Sequence, residues 1–135
     1  MATCTSTKTV HADPDSVFAL LADFADISWI PLATNVRTEG EGPGMQRSMG
    51  DEGARIVEEL YSLDPASRSL GYGIVGGNPL PIERQDVVAT VRPSGATSEV
   101  TWEVEYEPDS AGPEVEAMID GIYEMMAGWL SDALA

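Results

Sequence analysis

The C-terminal stretch Glu114–Leu134 dictates much of what this chain can become, because its pattern is that of one long amphipathic helix. Gly112 and Pro113 precede it, and a proline is tolerated in the first turn of a helix. A helix of this length, following a run of strands, needs an apolar surface to lie on. Its apolar residues recur at three- and four-residue steps, which places on one stripe Val115, Met118, Ile119, Ile122, Met126, Leu130 and Ala133.

The clearest strands lie just before that helix. Apolar and mostly acidic residues alternate through Val100–Glu107, as they do in a strand with one buried and one solvated face. A four-residue turn at Pro93–Ala96 predicts that Val87 lies opposite Trp102. Gln85 and Val87 are then on the same apolar face as Trp102.

An earlier hairpin gives a second set of inward-facing residues. A four-residue turn at Gly50–Gly53 would pair Arg47 with Ile56 and Met45 with Glu58. The next strand, 68–75, adds two residues of the same parity. One face of this part of the sheet is therefore predicted to present Met45, Arg47, Met49, Ile56, Glu58, Tyr72 and Ile74.

The N-terminal part of the chain predicts a strand followed by helices. Thr5–Ala12 is rich in β-branched residues, and Asp13 and Pro14 form a typical helix start. A second short helix is expected at Phe24–Trp29, and Leu32–Thr38 is expected to be a strand. The order of strand, two helices, six strands and one long helix indicates a single α+β domain, residues 1–135, with helices on one face of an antiparallel sheet of about seven strands.

Composition excludes several classes of function. A net charge of −16 argues against nucleic acid, whose phosphates require a basic patch, and against an anionic membrane surface. The sequence has no long apolar run, so we expect no stable membrane insertion. A single cysteine, Cys4, and a single histidine, His11, remove disulfides, thiolate clusters and most nucleophile–histidine chemistry. No metal-ligand spacing is present, so we expect no metal and no cofactor. We expect a cytoplasmic monomer or homodimer with an acidic surface.

Several segments together resemble the START-like (SRPBCC) superfamily. This superfamily includes the birch-pollen allergen, polyketide cyclase/dehydrase and lipid-transport proteins, and the plant abscisic-acid receptors. The resemblance covers almost the whole chain and is carried by Asp13–Phe24 with Trp29, Gly42–Arg47, Glu58–Asp64, Arg68–Tyr72, Pro79–Ile82 and Val91–Pro93.

The resemblance implies a helix-grip fold, in which the curved sheet wraps the C-terminal helix and leaves a cavity for a hydrophobic ligand. Met49–Gly53 occupies the place of the receptors' gate loop, and the strand ending at Gly77 leads to that of their latch loop. The receptors' pocket lysine has no counterpart, because Lys8 is the only lysine, and Gln85 stands where many relatives have tyrosine. Abscisic acid is therefore not the expected ligand.

Arg47 and Glu58 are the candidates for chemistry, each with two interpretations. An arginine among methionines on a concave face could bind a carboxylate, carbonyl or phenolate of a ligand, or could form a structural ion pair with Glu58. Glu58 could contact a ligand or act as a general base, or could serve only as the partner of Arg47.

The remaining candidates are suited to lining a cavity. Trp29, Tyr72, Trp102 and Tyr123 could line it or belong to the plain core, and the methionines could adapt to varied ligands or fill gaps. Leu80, at the tip of a stiff loop, and the Met49–Gly53 turn are expected to form the cavity mouth. The full predicted binding set is Trp29, Met45, Arg47, Met49, Ile56, Glu58, Tyr72, Ile74, Leu80, Gln85, Val87, Trp102, Tyr123, Met126 and Leu130.

Three functions remain open at this point. The first is binding or transport of a small hydrophobic molecule: a lipid, polyketide or terpenoid. The second is a cyclase/dehydrase-type enzyme, in which Arg47 would steady an enolate while Glu58 or a water moves a proton. The third is a protein-interaction module with a filled core.

Overall fold

Seven strands form one antiparallel sheet in the computed structural model, which describes residues Met1–Ala135. The first and last strands of the sequence are neighbours, and the spatial order is β1-β7-β6-β5-β4-β3-β2. Every pairing is antiparallel. The strands are β1 (Ala2–Val10), β2 (Arg37–Glu39), β3 (Gln46–Met49), β4 (Ile56–Asp64), β5 (Ser69–Gly76), β6 (Arg84–Ser94) and β7 (Thr97–Glu107).

Two α-helices pack on this sheet. Helix α1 (Pro14–Ala22) starts as predicted: the Asp13 side chain caps it by accepting a hydrogen bond from the backbone N–H of Ser16. Helix α2 (Gly112–Ala133) is the long C-terminal helix, preceded by one 3₁₀ turn at Asp109–Ala111. None of the helices combines the length and apolar character needed to cross a bilayer.

The predicted second short helix at Phe24–Trp29 is wrong, because this segment forms turns. Its backbone groups have other partners. The Phe24 carbonyl accepts a hydrogen bond from Arg47 Nη1, and the Ser28 N–H donates to the Asp26 carboxylate at 3.0 Å. A helix needs Ser28 N–H to bond the Phe24 carbonyl, so the two side chains displace the helical bond.

The predicted strand Leu32–Thr38 is also mostly wrong, because only its last two residues belong to a strand, β2. Asn35 has a positive φ of 52°, which strand backbone does not adopt. The carbonyl of Thr34 bonds Gly50 N–H and that of Asn35 bonds Arg55. This segment is therefore held by loops rather than by a strand neighbour.

Both predicted hairpin registers are off by two residues, and both keep the predicted faces. Arg47 lies opposite Glu58 rather than Ile56, because the β3–β4 connection is longer than a four-residue turn. Val87 lies opposite Val104 rather than Trp102, because the β6–β7 turn has only the two residues Gly95 and Ala96. A shift of two preserves which face each side chain occupies.

Helix α2 lies on the concave face of the sheet. Its buried stripe of residues is rotated about the helix axis relative to the stripe predicted from the sequence. Met118, placed on the predicted stripe, is 48% exposed. Lys8 on β1 fixes the rotation, because its Nζ lies 3.0 Å from carboxylate oxygens of both Asp120 and Glu124. The buried residues of α2 are Val115, Ile119, Tyr123, Ala127 and Leu130.

The core lies between the concave face of the sheet, α1 and α2. Its largest fully buried side chains include Trp102, Tyr106 and Phe24. The polar residues Arg47, Glu58 and Gln85 are buried with them on the same side of the sheet. A curved antiparallel sheet gripping one long helix is the helix-grip fold that the sequence implied.

Candidate functional site

A cavity of about 130 Å³ lies between the sheet and α2. Strands β3 to β6 form its floor, and the loop 77–83 and α2 form its sides. Aliphatic and methionine side chains make up most of the lining, and β4, β5, β6, the loop and α2 each contribute one polar side chain. Nine of the predicted residues line it: Met49, Ile56, Glu58, Tyr72, Ile74, Leu80, Gln85, Tyr123 and Met126. Their contact with a ligand stays a prediction.

Six predicted residues lie outside the lining. Arg47 faces inward but is covered by Phe24, and Trp102 is 1% exposed, below the ring of Tyr123. Leu130 lies one helical turn beyond Met126 and is fully enclosed. The sequence pattern gives the face of a residue but not its depth. The six residues outside the lining are Trp29, Met45, Arg47, Val87, Trp102 and Leu130.

Four lining residues were not among the predicted set. Ile122 was on the predicted helix stripe, so the signal for it was present. Asn78 and Pro79 form the loop beside Leu80, and an asparagine before a proline is a common turn signal. Ile30 comes from the segment after α1, where the predicted structure was wrong. The four are Ile30, Asn78, Pro79 and Ile122.

Arg47 and Glu58 form a buried ion pair at the edge of the cavity. Arg47 Nε donates to Glu58 Oε1 at 3.0 Å, with the two side chains 8% and 11% exposed. The Arg47 guanidinium carbon also lies 3.8 Å from the centre of the Phe24 ring and 5.9 Å from that of Tyr72. These contacts favour the structural interpretation of Arg47. Glu58 also lines the cavity, and its contact with a ligand stays a prediction.

Two tyrosine hydroxyls meet at the inner end of the cavity. Tyr72 Oη and Tyr123 Oη are 3.4 Å apart, and the Tyr123 ring stacks on Trp102 with a centroid distance of 4.6 Å. Burial, reinforced by the charge of Glu58, raises the pKa of Tyr72 to about 12. Burial also raises the pKa of Tyr123 well above its ordinary value. Both hydroxyls are therefore protonated and uncharged near neutral pH.

Asn78 connects the covering loop to the sheet. Its Nδ2 donates to Gln85 Oε1 at 3.1 Å, and its Oδ1 accepts from the Leu80 backbone N–H at 3.0 Å. The Gln85 carbonyl oxygen is thereby used, which leaves its amide nitrogen as the group that can donate towards the cavity.

The predicted mouth differs from the observed one. Leu80 is 8% exposed, so it packs into the lining instead of standing at an exposed tip. The turn Gly50–Gly53 does not reach the cavity, and only Met49 at its base does. Arg55 stabilises this turn by donating hydrogen bonds to the Gly50 carbonyl and to Ser48 Oγ. The half-buried lining residues at the outer end are Met49, Ile56, Ile122 and Met126.

A larger depression of about 370 Å³ lies elsewhere, along β2 and β3. It is open to solvent and has only one apolar lining residue, Val57. Drug-sized ligands usually bind in concave, mainly apolar pockets. The smaller cavity under α2 is therefore the candidate site.

Solved structures share this architecture. A protein from Thermobifida fusca, solved by NMR in solution, is 27% identical, with 99% of this chain and 93% of that chain covered and a TM-score of 0.83. Truncated norcoclaurine synthase from Thalictrum flavum is 20% identical, with 98% and 92% covered and a TM-score of 0.76. Ara h 8.0201 is 20% identical, with 96% and 97% covered and a TM-score of 0.72.

Sequence comparison gives the family directly. No protein of curated function matches the sequence. The family described as "Polyketide cyclase / dehydrase and lipid transport" matches residues 1–134. The solved structures therefore share the fold, and the family model identifies the polyketide-cyclase-like kind. Because the match extends over nearly the whole sequence, the chain belongs to the polyketide cyclase / dehydrase and lipid transport family.

Proposed function

We propose that this protein binds a small, mainly apolar molecule in the cavity between the sheet and α2. The observation that carries the proposal is the composition of the lining: aliphatic and methionine side chains surround a few polar groups that converge at the inner end. Ligand sites usually have this character, with apolar walls providing affinity and a few polar groups setting orientation. The family match and the name of the Thalictrum flavum enzyme, a synthase, are consistent with a site for an organic ligand.

The volume limits what this conformation accommodates. Pockets for drug-sized ligands hold roughly 300–1,000 Å³. The cavity here holds about 130 Å³, close to the roughly 150 Å³ of an engineered apolar cavity that binds benzene. A one-ring molecule therefore fits without rearrangement. Met49 and Met126 are flexible thioethers at the outer end, and their movement would admit a longer ligand such as a lipid or terpenoid chain.

The alternative functions have less support. The cyclase hypothesis assigns Arg47 to a developing enolate, but Arg47 is engaged with Glu58 and Phe24 outside the cavity lining. No second residue supplies a positive charge there. The interaction-module hypothesis expects a filled core, and the cavity argues for ligand binding instead.

Native mass spectrometry of freshly purified protein, followed by solvent extraction, tests the proposal directly. We expect an added mass that extraction releases as a small apolar compound. Uptake of toluene, followed by NMR shifts of the cavity methyl groups of Ile74 and Leu80, tests the empty protein. Protein that carries no added mass and shows no shifts with toluene would contradict the proposal.

A matched pair of variants locates the site. Met126→Trp places a larger side chain in the lining, and we expect it to reduce toluene binding by at least about tenfold. Met125→Trp is the control, because Met125 is 46% exposed on the same helix and does not line the cavity. Equal binding by both variants would place the bound toluene elsewhere.

A further inference from the structure

The charge lining the cavity is negative. Glu58 is its one acidic side chain, and Tyr72, Gln85, Asn78 and Tyr123 contribute uncharged polar groups. Glu58 Oε1 is held by Arg47, whereas Glu58 Oε2 forms no hydrogen bond with the protein. A carboxylate oxygen with unused lone pairs at a cavity wall accepts hydrogen bonds.

None of the chain's cationic groups lines the cavity. The seven Lys and Arg side chains comprise Lys8 and six arginines, and most of them have carboxylate partners elsewhere. Lys8 pairs with Asp120 and Glu124, and Arg68 pairs with Asp15. Arg55 binds loop carbonyls, and Arg92 lies on the exposed side of β6 opposite Glu99. The other three pair as Arg37–Glu52, Arg47–Glu58 and Arg84–Asp86.

The uncharged groups at the inner end complement a hydroxyl. Gln85 has its carbonyl oxygen occupied by Asn78, so its amide nitrogen is the group left to donate. The Tyr72 and Tyr123 hydroxyls can each donate or accept. A ligand hydroxyl can donate to Glu58 Oε2 and accept from one of these groups, whereas a ligand carboxylate has no proton to offer Glu58 and would add a second negative charge beside it.

Resting on the proposed binding function, we propose that this cavity selects an uncharged ligand that carries a hydroxyl at its inner end, such as a one-ring phenol, and excludes a carboxylate of the same shape. Selectivity comes from Glu58, because the charge of Arg47 is directed to Glu58 and Phe24 and not to the cavity.

Calorimetric titration with three probes of one shape tests the proposal: 4-methylphenol, 4-methylbenzoate and toluene at neutral pH. We expect 4-methylphenol to bind at least about 100-fold more tightly than 4-methylbenzoate, because the latter must lose its hydration beside Glu58. Binding of 4-methylbenzoate as tight as that of 4-methylphenol would overturn the selectivity and leave the proposed function standing. Failure of all three probes to bind would overturn both.

The pH dependence tests the same point in the unchanged protein. Only the neutral acid form of 4-methylbenzoate is expected to enter the cavity. At pH values above the carboxyl pKa of this probe, each decrease of one pH unit should therefore raise its measured affinity about tenfold. The affinity for 4-methylphenol should stay constant over the same range. An affinity for 4-methylbenzoate that does not change with pH would overturn the proposal.

Two neighbouring substitutions identify the responsible charge. Glu58→Gln removes the charge at the cavity and leaves Arg47 without its anion, so we expect 4-methylbenzoate to gain at least about tenfold relative to 4-methylphenol. Glu59→Gln is the matched control, because Glu59 is the next residue of β4, faces the other side of the sheet and bonds Gln46. An unchanged probe ratio in folded Glu58→Gln protein, or an equal change in both variants, would overturn the assignment to Glu58.

Discussion

Arg47 and Glu58 face one another across β3 and β4, with Arg47 Nε and Glu58 Oε1 3.0 Å apart. The same guanidinium lies over the Phe24 ring and donates to the Phe24 carbonyl at 3.2 Å. One buried arginine therefore joins two strands to the segment that follows α1. It explains why that segment is not helical and why the Arg47 charge does not face the cavity.

The first prediction concerns the stability of this pair. Arg47→Met or Glu58→Leu alone leaves one buried charge without its partner, so each is expected to lower the free energy of unfolding by about 3–5 kcal/mol. The double variant Arg47→Met/Glu58→Leu removes both charges and should recover most of that loss. Urea unfolding of the four proteins measures it. A double variant as unstable as the sum of the two single variants would contradict the interpretation as a coupled pair.

The second prediction concerns two adjacent glycines where β5 ends. Gly77 has a positive φ of 66°, and an added Cβ would collide with the Arg55 carbonyl oxygen. Gly77→Ala should therefore lower the free energy of unfolding by about 2 kcal/mol or more. In Gly76→Ala the added Cβ meets Val57 at an ordinary 3.6 Å, so a change within about 1 kcal/mol is expected. Equal thermal stability of the two variants would contradict this prediction.

The third prediction concerns alkaline pH. Burial raises the pKa of Tyr72 to about 12, and the hydrogen bond to Glu116 raises that of Tyr106 to about 12. In the unfolded chain these phenols ionise near 10. Their stabilising contribution is therefore complete below pH 10 and is lost as the pH rises through the folded-state values. Phenolate absorbance should rise together with unfolding above pH 10.

A single variant isolates the share of Tyr72 in that loss. From pH 9 to pH 11 the stability of Tyr72→Phe should fall by about 1.4 kcal/mol less than that of the unchanged protein, because one of the shifted phenols is absent. Urea unfolding at the two pH values gives the difference. An equal loss of stability between pH 9 and pH 11 in the two proteins would contradict the prediction.

The fourth prediction concerns the contact between α2 and the sheet at Tyr123. Its ring stacks on Trp102 at a 14° interplanar angle, and it is 3% exposed. Tyr123→Ala removes the ring and should lower the free energy of unfolding by about 3–5 kcal/mol, with loss of the near-ultraviolet circular dichroism of the stacked pair. Tyr123→Phe keeps the ring and should lower it by about 1 kcal/mol, because only the long hydrogen bond to Tyr72 is lost. Similar losses in both variants would assign the stability to the hydroxyl.

Which face of the sheet each strand residue occupies could be predicted from the sequence, and the register could not. Arg47, Glu58, Tyr72 and Gln85 were placed on the concave face, where all four lie buried. The pairing of Arg47 was displaced by two residues, because the length of a loop such as Gly50–Arg55 is set by the contacts of Arg55 with distant carbonyls. Parity depends only on the alternation of side chains along a strand, so it survives such an error.

The rotation of α2 about its own axis could not be predicted from the sequence pattern either. Met118 and Tyr123 both lie at helical spacing from other apolar residues, so either could belong to the buried stripe. Tyr123 is the buried one, because Lys8 holds Asp120 and Glu124 at the edge of the sheet and Trp102 offers a ring to stack on. Lys8 is 112 residues from Asp120 in sequence, and no local pattern reports that contact.

The sequence by itself determined the fold class, the long C-terminal helix and the inward-facing residues, because these depend on local periodicity and on which residues must leave water. Tertiary structure alone decided how deep each of those residues lies. Arg47 is covered by Phe24, Trp102 by Tyr123, and Glu58 is left at the cavity wall. The shape and charge of a cavity are what remains after distant segments have packed, and only the packed chain contains that information.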